Sequence, residues 1–189
     1  MKQKIHFFQT ILGVAVATGL LLLIPLVAMQ FTTEVNWSVG DFLVMGILLF
    51  STGLAFVLLT RYAPNFIYWV AIASAIGSTF LLIWVNLAVG LIGSGPNPGN
   101  LMYLGVLAVI IIGTYLSRFT PRGMERAMLA VAASLVLLAI VALLMNMQYY
   151  PGSSVKEIIL VNAFFAALFA ISGLLFRYLV LESSEKSQG

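Results

Sequence analysis

Trp84-Val85-Asn86-Leu87-Ala88-Val89-Gly90-Leu91-Ile92-Gly93-Ser94-Gly95-Pro96-Asn97-Pro98-Gly99-Asn100-Leu101-Met102-Tyr103 is the densest run of glycine, proline and asparagine in the chain. It stands between two long apolar runs and carries an amide, Asn86, inside the first of them. Glycine and proline punctuate regular structure, so the stretch marks a turn between two hydrophobic segments. What those segments are decides the fold.

Of the 189 residues, 62% are hydrophobic and 8% are charged, and the mean hydropathy is +1.10. Soluble domains carry about 25% charged residues, so this chain reads as a membrane protein whose solvent is lipid. Crossing a hydrocarbon core of ~30 Å takes about 20 helical residues. Six segments are long enough, near 7–29, 39–60, 66–92, 98–117, 121–147 and 156–178. None alternates in polarity as a β-barrel strand does. The expected fold is all-α, a single integral membrane domain forming a polytopic transmembrane bundle of six helices. The first apolar run, Phe7 to Met29, outlasts the roughly 7–15 residues of a signal-peptide core and reads as a retained helix.

The basic residues give an orientation. Lys2, Lys4, Arg61, Arg118, Arg122, Arg126, Arg177 and Lys186 fall on one side of these spans, and only Lys156 falls on the other. By the positive-inside bias both termini face the cytoplasm, and the Trp84–Tyr103 stretch holds the outer turn between helices three and four. No clustered basic face exists for nucleic acid.

Capping chemistry marks the helix starts. Ser38-Val39-Gly40-Asp41 and Ser154-Val155-Lys156-Glu157 fit capping boxes, and Asn65 caps helix three. Asn97-Pro98 and Thr120-Pro121 each set a cap residue before a first-turn proline. Reassigning Asn97 and Pro98 to the start of helix four shrinks the turn to Gly93–Pro96. Pro25 is expected to kink or end helix one. Small residues four apart, such as Gly13/Ala17, Ala71/Ala75 and Ala163/Ala167, place helices one, three and six at the bundle centre. Three helices on each side of the outer turn permit an inverted repeat on helix count alone.

Candidate sites gather at the outer end. Asn86, Asn97, Asn100, Asn162 and Asp41 are the expected ligand-binding residues, because convergent amides and a carboxylate would line an outward-facing polar pocket. Each also has a structural reading: an interhelical hydrogen bond for Asn86 and a cap for Asp41. Arg118, Arg122 and Arg126 form the main cytoplasmic charge cluster, a topology anchor that also suits an anionic lipid or a protein partner. Trp37, Trp84, Tyr103, Tyr149 and Tyr150 read as an aromatic belt.

Several functions are disfavoured by what is missing. Cysteine is absent and His6 is the one histidine, so thiolate and multi-histidine metal sites within one chain are ruled out. From Phe42 to Thr60, Phe66 to Ile92 and Leu101 to Ser117 there is no ionisable Asp, Glu, Lys, Arg or His. Proton relays and voltage sensors need such residues at depth. No nucleophile–base pair is visible, so no enzyme, cofactor or metal is expected. The Asn97-Pro98-Gly99 triplet is similar to an aquaporin half-helix motif, but it occurs once, with Gly in place of Ala.

The segment WVNLAVGLIGSGPNPGNLMY, followed by Arg118-Phe119-Thr120-Pro121-Arg122-Gly123-Met124, resembles a group of small uncharacterised bacterial inner-membrane proteins. The likeness covers mainly residues 37–126 and implies location in that membrane, with no catalytic assignment. The expected function is a non-enzymatic accessory, interaction or lipid-binding membrane module. Its partners would be membrane lipids and other membrane proteins or further copies of itself. The alternative is a facilitator or binding protein for a small uncharged solute, using the outer pocket.

Overall fold

A computed structural model describes residues 2–61, 63–94 and 97–186, with side chains from Phe8 onward. The side chains of Lys2, Lys4 and His6, and the Gly95–Pro96 part of the expected turn, lie outside the described residues. Among the described residues the chain is all-helical, without strands. The helices are α1 (Lys2–Phe31), α2 (Val39–Thr60), α3 (Phe66–Ala88), α4 (Tyr103–Leu116), α5 (Pro121–Leu144) and α6 (Val155–Lys186). A 3₁₀ turn, Pro98–Met102, leads into α4, and another, Met147–Tyr149, follows α5. With the first turn counted into α4, all six helices are long and apolar enough to cross a membrane.

Local chemistry explains the starts. The Ser38 Oγ accepts from the Asp41 N–H at 3.3 Å, and the Ser38 N–H donates to Asp41 Oδ2 at 2.7 Å, a complete capping box. Asn65 Oδ1 accepts from the Tyr68 N–H at 2.8 Å, and Thr120 Oγ1 accepts from the Gly123 N–H at 3.2 Å. At α6 only the serine half of the expected box forms among the described residues: the Glu157 N–H donates to Ser154 Oγ at 3.1 Å.

The chain divides into two compact units, Met1–Tyr62 and Ala63–Gly189. In the first, α1 and α2 form an antiparallel hairpin. A Cβ on Gly53 would fall 2.8 Å from Val14 Cγ1, and one on Gly46 would fall 3.4 Å from Leu22 Cδ1. These glycines of α2 are the seats for α1 side chains. In the second unit α3 packs on α6, α6 on α5 and α5 on α4, whereas α4 touches α3 only lightly. Ser172 Oγ donates to the Ala71 carbonyl at 2.9 Å, and the Tyr68 and Phe176 rings meet edge-on at 5.4 Å, which fixes the antiparallel register of α3 and α6. On the α5–α6 seam, a Cβ on Gly173 would lie 3.1 Å from Leu129. The core of this unit is built from Ile72, Leu82, Val131, Leu135, Phe165 and Phe169, all buried.

The structure refines the expected helix bounds and contacts. Helix α1 runs through Pro25 to Phe31, so the proline does not end it; a membrane helix can lose one ladder hydrogen bond to proline and continue. None of α1's most apolar window is buried, against 39% for α5 and α6. A Cβ at Gly13 or Gly19 would meet nothing within 4 Å, so these two glycines of α1 do not seat side chains of α2. The compact units hold two and four helices. Helix three ends at Ala88 rather than near residue 92, for a reason that lies in the loop that follows it.

Candidate functional site

Helix α3 ends where its next main-chain donors find a better acceptor. The Val89 N–H still reaches back to the Val85 carbonyl at 3.0 Å. Gly90 then turns left-handed, with φ +82°, a conformation that glycine enters without steric penalty. The N–H groups of Leu91 and Ile92 do not fold back onto α3. Both donate to Asn100 Oδ1, at 2.8 and 2.9 Å. A Cβ on Gly90 would stand 2.6 Å from Asn100 Nδ2, so glycine is needed for space as well as for φ.

Two further amides complete this loop. Asn97 Nδ2 donates to the Ile92 carbonyl at 2.6 Å, while its Oδ1 caps the 3₁₀ turn by accepting from the Gly99 N–H at 2.9 Å. Asn86 Nδ2 reaches across from α3 and donates to the Asn100 carbonyl at 3.3 Å. The α5–α6 connection braces the far side: the Ser94 N–H donates to the Pro151 carbonyl at 2.8 Å. Gly93, at φ +68°, has room for no Cβ because that carbonyl would lie 2.8 Å away.

This arrangement leaves an open groove of about 600 Å³ at the end of α3. It is lined by Asn86 through Gly90 on one side and by Asn97, Pro98, Asn100 and Leu101 on the other. Three of the five expected ligand-binding residues, Asn86, Asn97 and Asn100, therefore meet at one place. Their amides are not equivalent. Asn97 is spent on the loop. Asn100 is fixed by the two donors facing its Oδ1, and its Nδ2 makes no hydrogen bond among the described residues. Asn86 is fixed by its bond to Asn100, and its Oδ1 is buried with no donor among the described residues. An unsatisfied buried acceptor costs roughly 1–3 kcal/mol, and such an atom in a native fold calls for an explanation.

The other expected residues sit elsewhere. Asn162 is 1% exposed and fully occupied: its Oδ1 accepts from the Tyr103 hydroxyl at 3.1 Å and its Nδ2 donates to the Ile158 carbonyl at 2.8 Å. It ties α4 to α6 beneath the loop and does not line the groove. Asp41 belongs to the α1–α2 unit, and its carboxylate holds the N-terminus of α2. Arg118, Arg122 and Arg126 are exposed at the other end of the α3–α6 unit. Arg118 and Phe119 make the α4–α5 turn with φ +49° and +57°, and the Tyr68 hydroxyl steadies it by donating to the Phe119 carbonyl. Among the described residues, no three of His, Cys, Asp or Glu come together.

Sequence reasoning set Gly90 and Gly93 beside Asn86 as residues that leave space, but it missed the left-handed turn at Gly90 and the buried place of Tyr103. Gly90 had a signal, since glycine just past a helix marks a left-handed stop, but its pairing with Asn100 is a contact ten residues apart. Tyr103 was read as a belt residue, yet it is 1% exposed and belongs to the core; nothing local distinguishes the two. No protein-family model matches the chain, and neither a curated protein nor a solved structure matches it.

Proposed function

We propose that this chain is a non-enzymatic, multi-pass module of a bacterial inner membrane, with cytoplasmic termini, that holds a membrane lipid in the groove at the end of α3. The observation that carries the reading is the groove itself, lined by Asn86, whose buried Oδ1 has no donor among the described residues. A binding site with apolar walls and a few placed polar groups is the usual form of a small-molecule pocket. This one opens at the end of a membrane-spanning helix, at the level where headgroups lie. Trp84, at 40% exposed, and Tyr149, at 81%, stand at the same end of the unit, as interfacial aromatic residues do.

The polar groups deeper in the unit favour a static lipid over a permeating solute. Ser78 Oγ donates to the Ser74 carbonyl at 2.7 Å, Ser172 to Ala71, and Asn162 is paired twice. A solute path needs polar groups free along its length, and these are taken. Exposed Arg118, Arg122 and Arg126 at the opposite end suit anionic headgroups of the inner leaflet.

The test is native mass spectrometry of the full chain released from a mild detergent. A retained phospholipid in about one-to-one ratio is expected. Its loss on Ala88→Trp, which narrows the groove without touching a loop hydrogen bond, would localise it. A lipid-free monomer from the unmodified chain overturns the reading.

A further inference from the structure

We infer that the groove selects a phospholipid whose headgroup ends in a primary ammonium, with the phosphoethanolamine group as its chemical class. This inference rests on the lipid-binding reading above and adds the identity of the headgroup. The polarity of the groove is one-sided. The carbonyls of Asn86, Leu87 and Ala88 point out of the end of α3, as the last carbonyls of any helix do. Among the described residues they receive no hydrogen bond from the loop that follows, because the N–H groups of Leu91 and Ile92 are captured by Asn100 Oδ1. Asn86, which lines the groove, adds an Oδ1 that is buried and has no donor among the described residues. The C-terminal end of a helix carries a partial negative charge. Acceptors and potential together call for a positively charged group with several N–H donors.

Among its described side chains the groove supplies the Asn100 Nδ2 donor, fixed in direction by the two bonds to Oδ1. A zwitterionic headgroup matches this set: its ammonium meets the acceptors, and its phosphate oxygen meets Asn100 Nδ2. No lining side chain is charged, so a group that is neutral overall fits better than one with a net charge, which would need a counter-ion. Continuity with the hydrocarbon follows from α4. Leu101 lines the groove and is 64% exposed; Leu104, Ile111 and Tyr115 continue the same exposed face at helical spacing. An acyl chain leaving the groove at Leu101 therefore lies along α4.

Nanodiscs containing equal parts of phosphatidylethanolamine, phosphatidylcholine and phosphatidylglycerol, with identical acyl chains, test the assignment on the full chain. Trimethylation in the choline lipid removes every N–H donor while keeping the charge, so retention of the ethanolamine lipid should exceed it about tenfold, the scale of one charge-assisted hydrogen bond. Asn86→Leu should abolish that preference. Ala88→Trp should displace lipid altogether, which covers the case in which Asn86→Leu does not fold. Equal retention of the ethanolamine and choline lipids, or a preference for the glycerol lipid, overturns the headgroup assignment and leaves lipid binding standing. Absence of any retained lipid overturns both. Water-soluble glycerophosphoethanolamine should compete poorly, and competition as strong as that of the lipid overturns the membrane source.

Discussion

Single residues at the end of α3 carry opposite duties, and substitutions separate them. Asn100 is structural: replacing it with alanine strands the N–H groups of Leu91 and Ile92 and should cost about 2–4 kcal/mol, the penalty for two unmet donors. Asn86 gives up one long hydrogen bond and one unsatisfied oxygen, so Asn86→Leu should change stability by less than about 1 kcal/mol. Thermal unfolding in detergent reads both, and a reversed ranking would move the functional assignment from Asn86 to Asn100. Gly90→Ala forces a side chain into φ +82° and against Asn100, with an expected loss of about 2 kcal/mol. Gly105→Ala, in α4 with nothing within 4 Å, should instead gain about 0.5 kcal/mol from helix propensity. Both substitutions are written the same way in sequence. Only φ and neighbours give them different signs.

At the level of elements, packing is decided by where helices meet and not by where small residues recur. Gly173 of α6 faces Leu129 of α5 with a would-be Cβ at 3.1 Å, on the seam between two helices that bury 39% of their apolar windows. Gly173→Val overfills that seam and should cost about 1–3 kcal/mol, while Gly13→Val in α1, with open space around it, should be nearly neutral. Equal losses at the two sites would show that α1 is packed as tightly as α6. Small residues permit close approach, but a partner must be present to make it. Caps were easier to read, because Ser38 with Asp41, Asn65 with Tyr68 and Thr120 with Gly123 lie within three residues of one another, and local sequence contains the whole interaction.

For the whole molecule, orientation and division into units are separate questions. A chain without cysteine accepts single reporters: Tyr149→Cys, 81% exposed, should react with an impermeant thiol reagent in intact cells, and Arg122→Cys only after lysis. The reverse pattern would place the termini outside. The unit Ala63–Gly189 closes α3 through α6 on one another, and removing an even number of helices keeps its ends on their original side. Expressed alone, it should insert and unfold within a few degrees of the full chain; failure to insert would make the α1–α2 hairpin part of its folding. By itself the sequence determined the class and the number of spans, because apolar length and scarcity of charge answer to the thickness of a bilayer and to nothing more distant. It determined the starts of helices for the same reason of locality. The tertiary structure decided that Asn97 holds the loop, that Asn162 pairs with Tyr103 across two helices, and that Asn86 keeps an oxygen without a partner among the described residues. An amide has the same chemistry in every case, and its role is set by which donors and acceptors the folded chain brings within 3 Å of it.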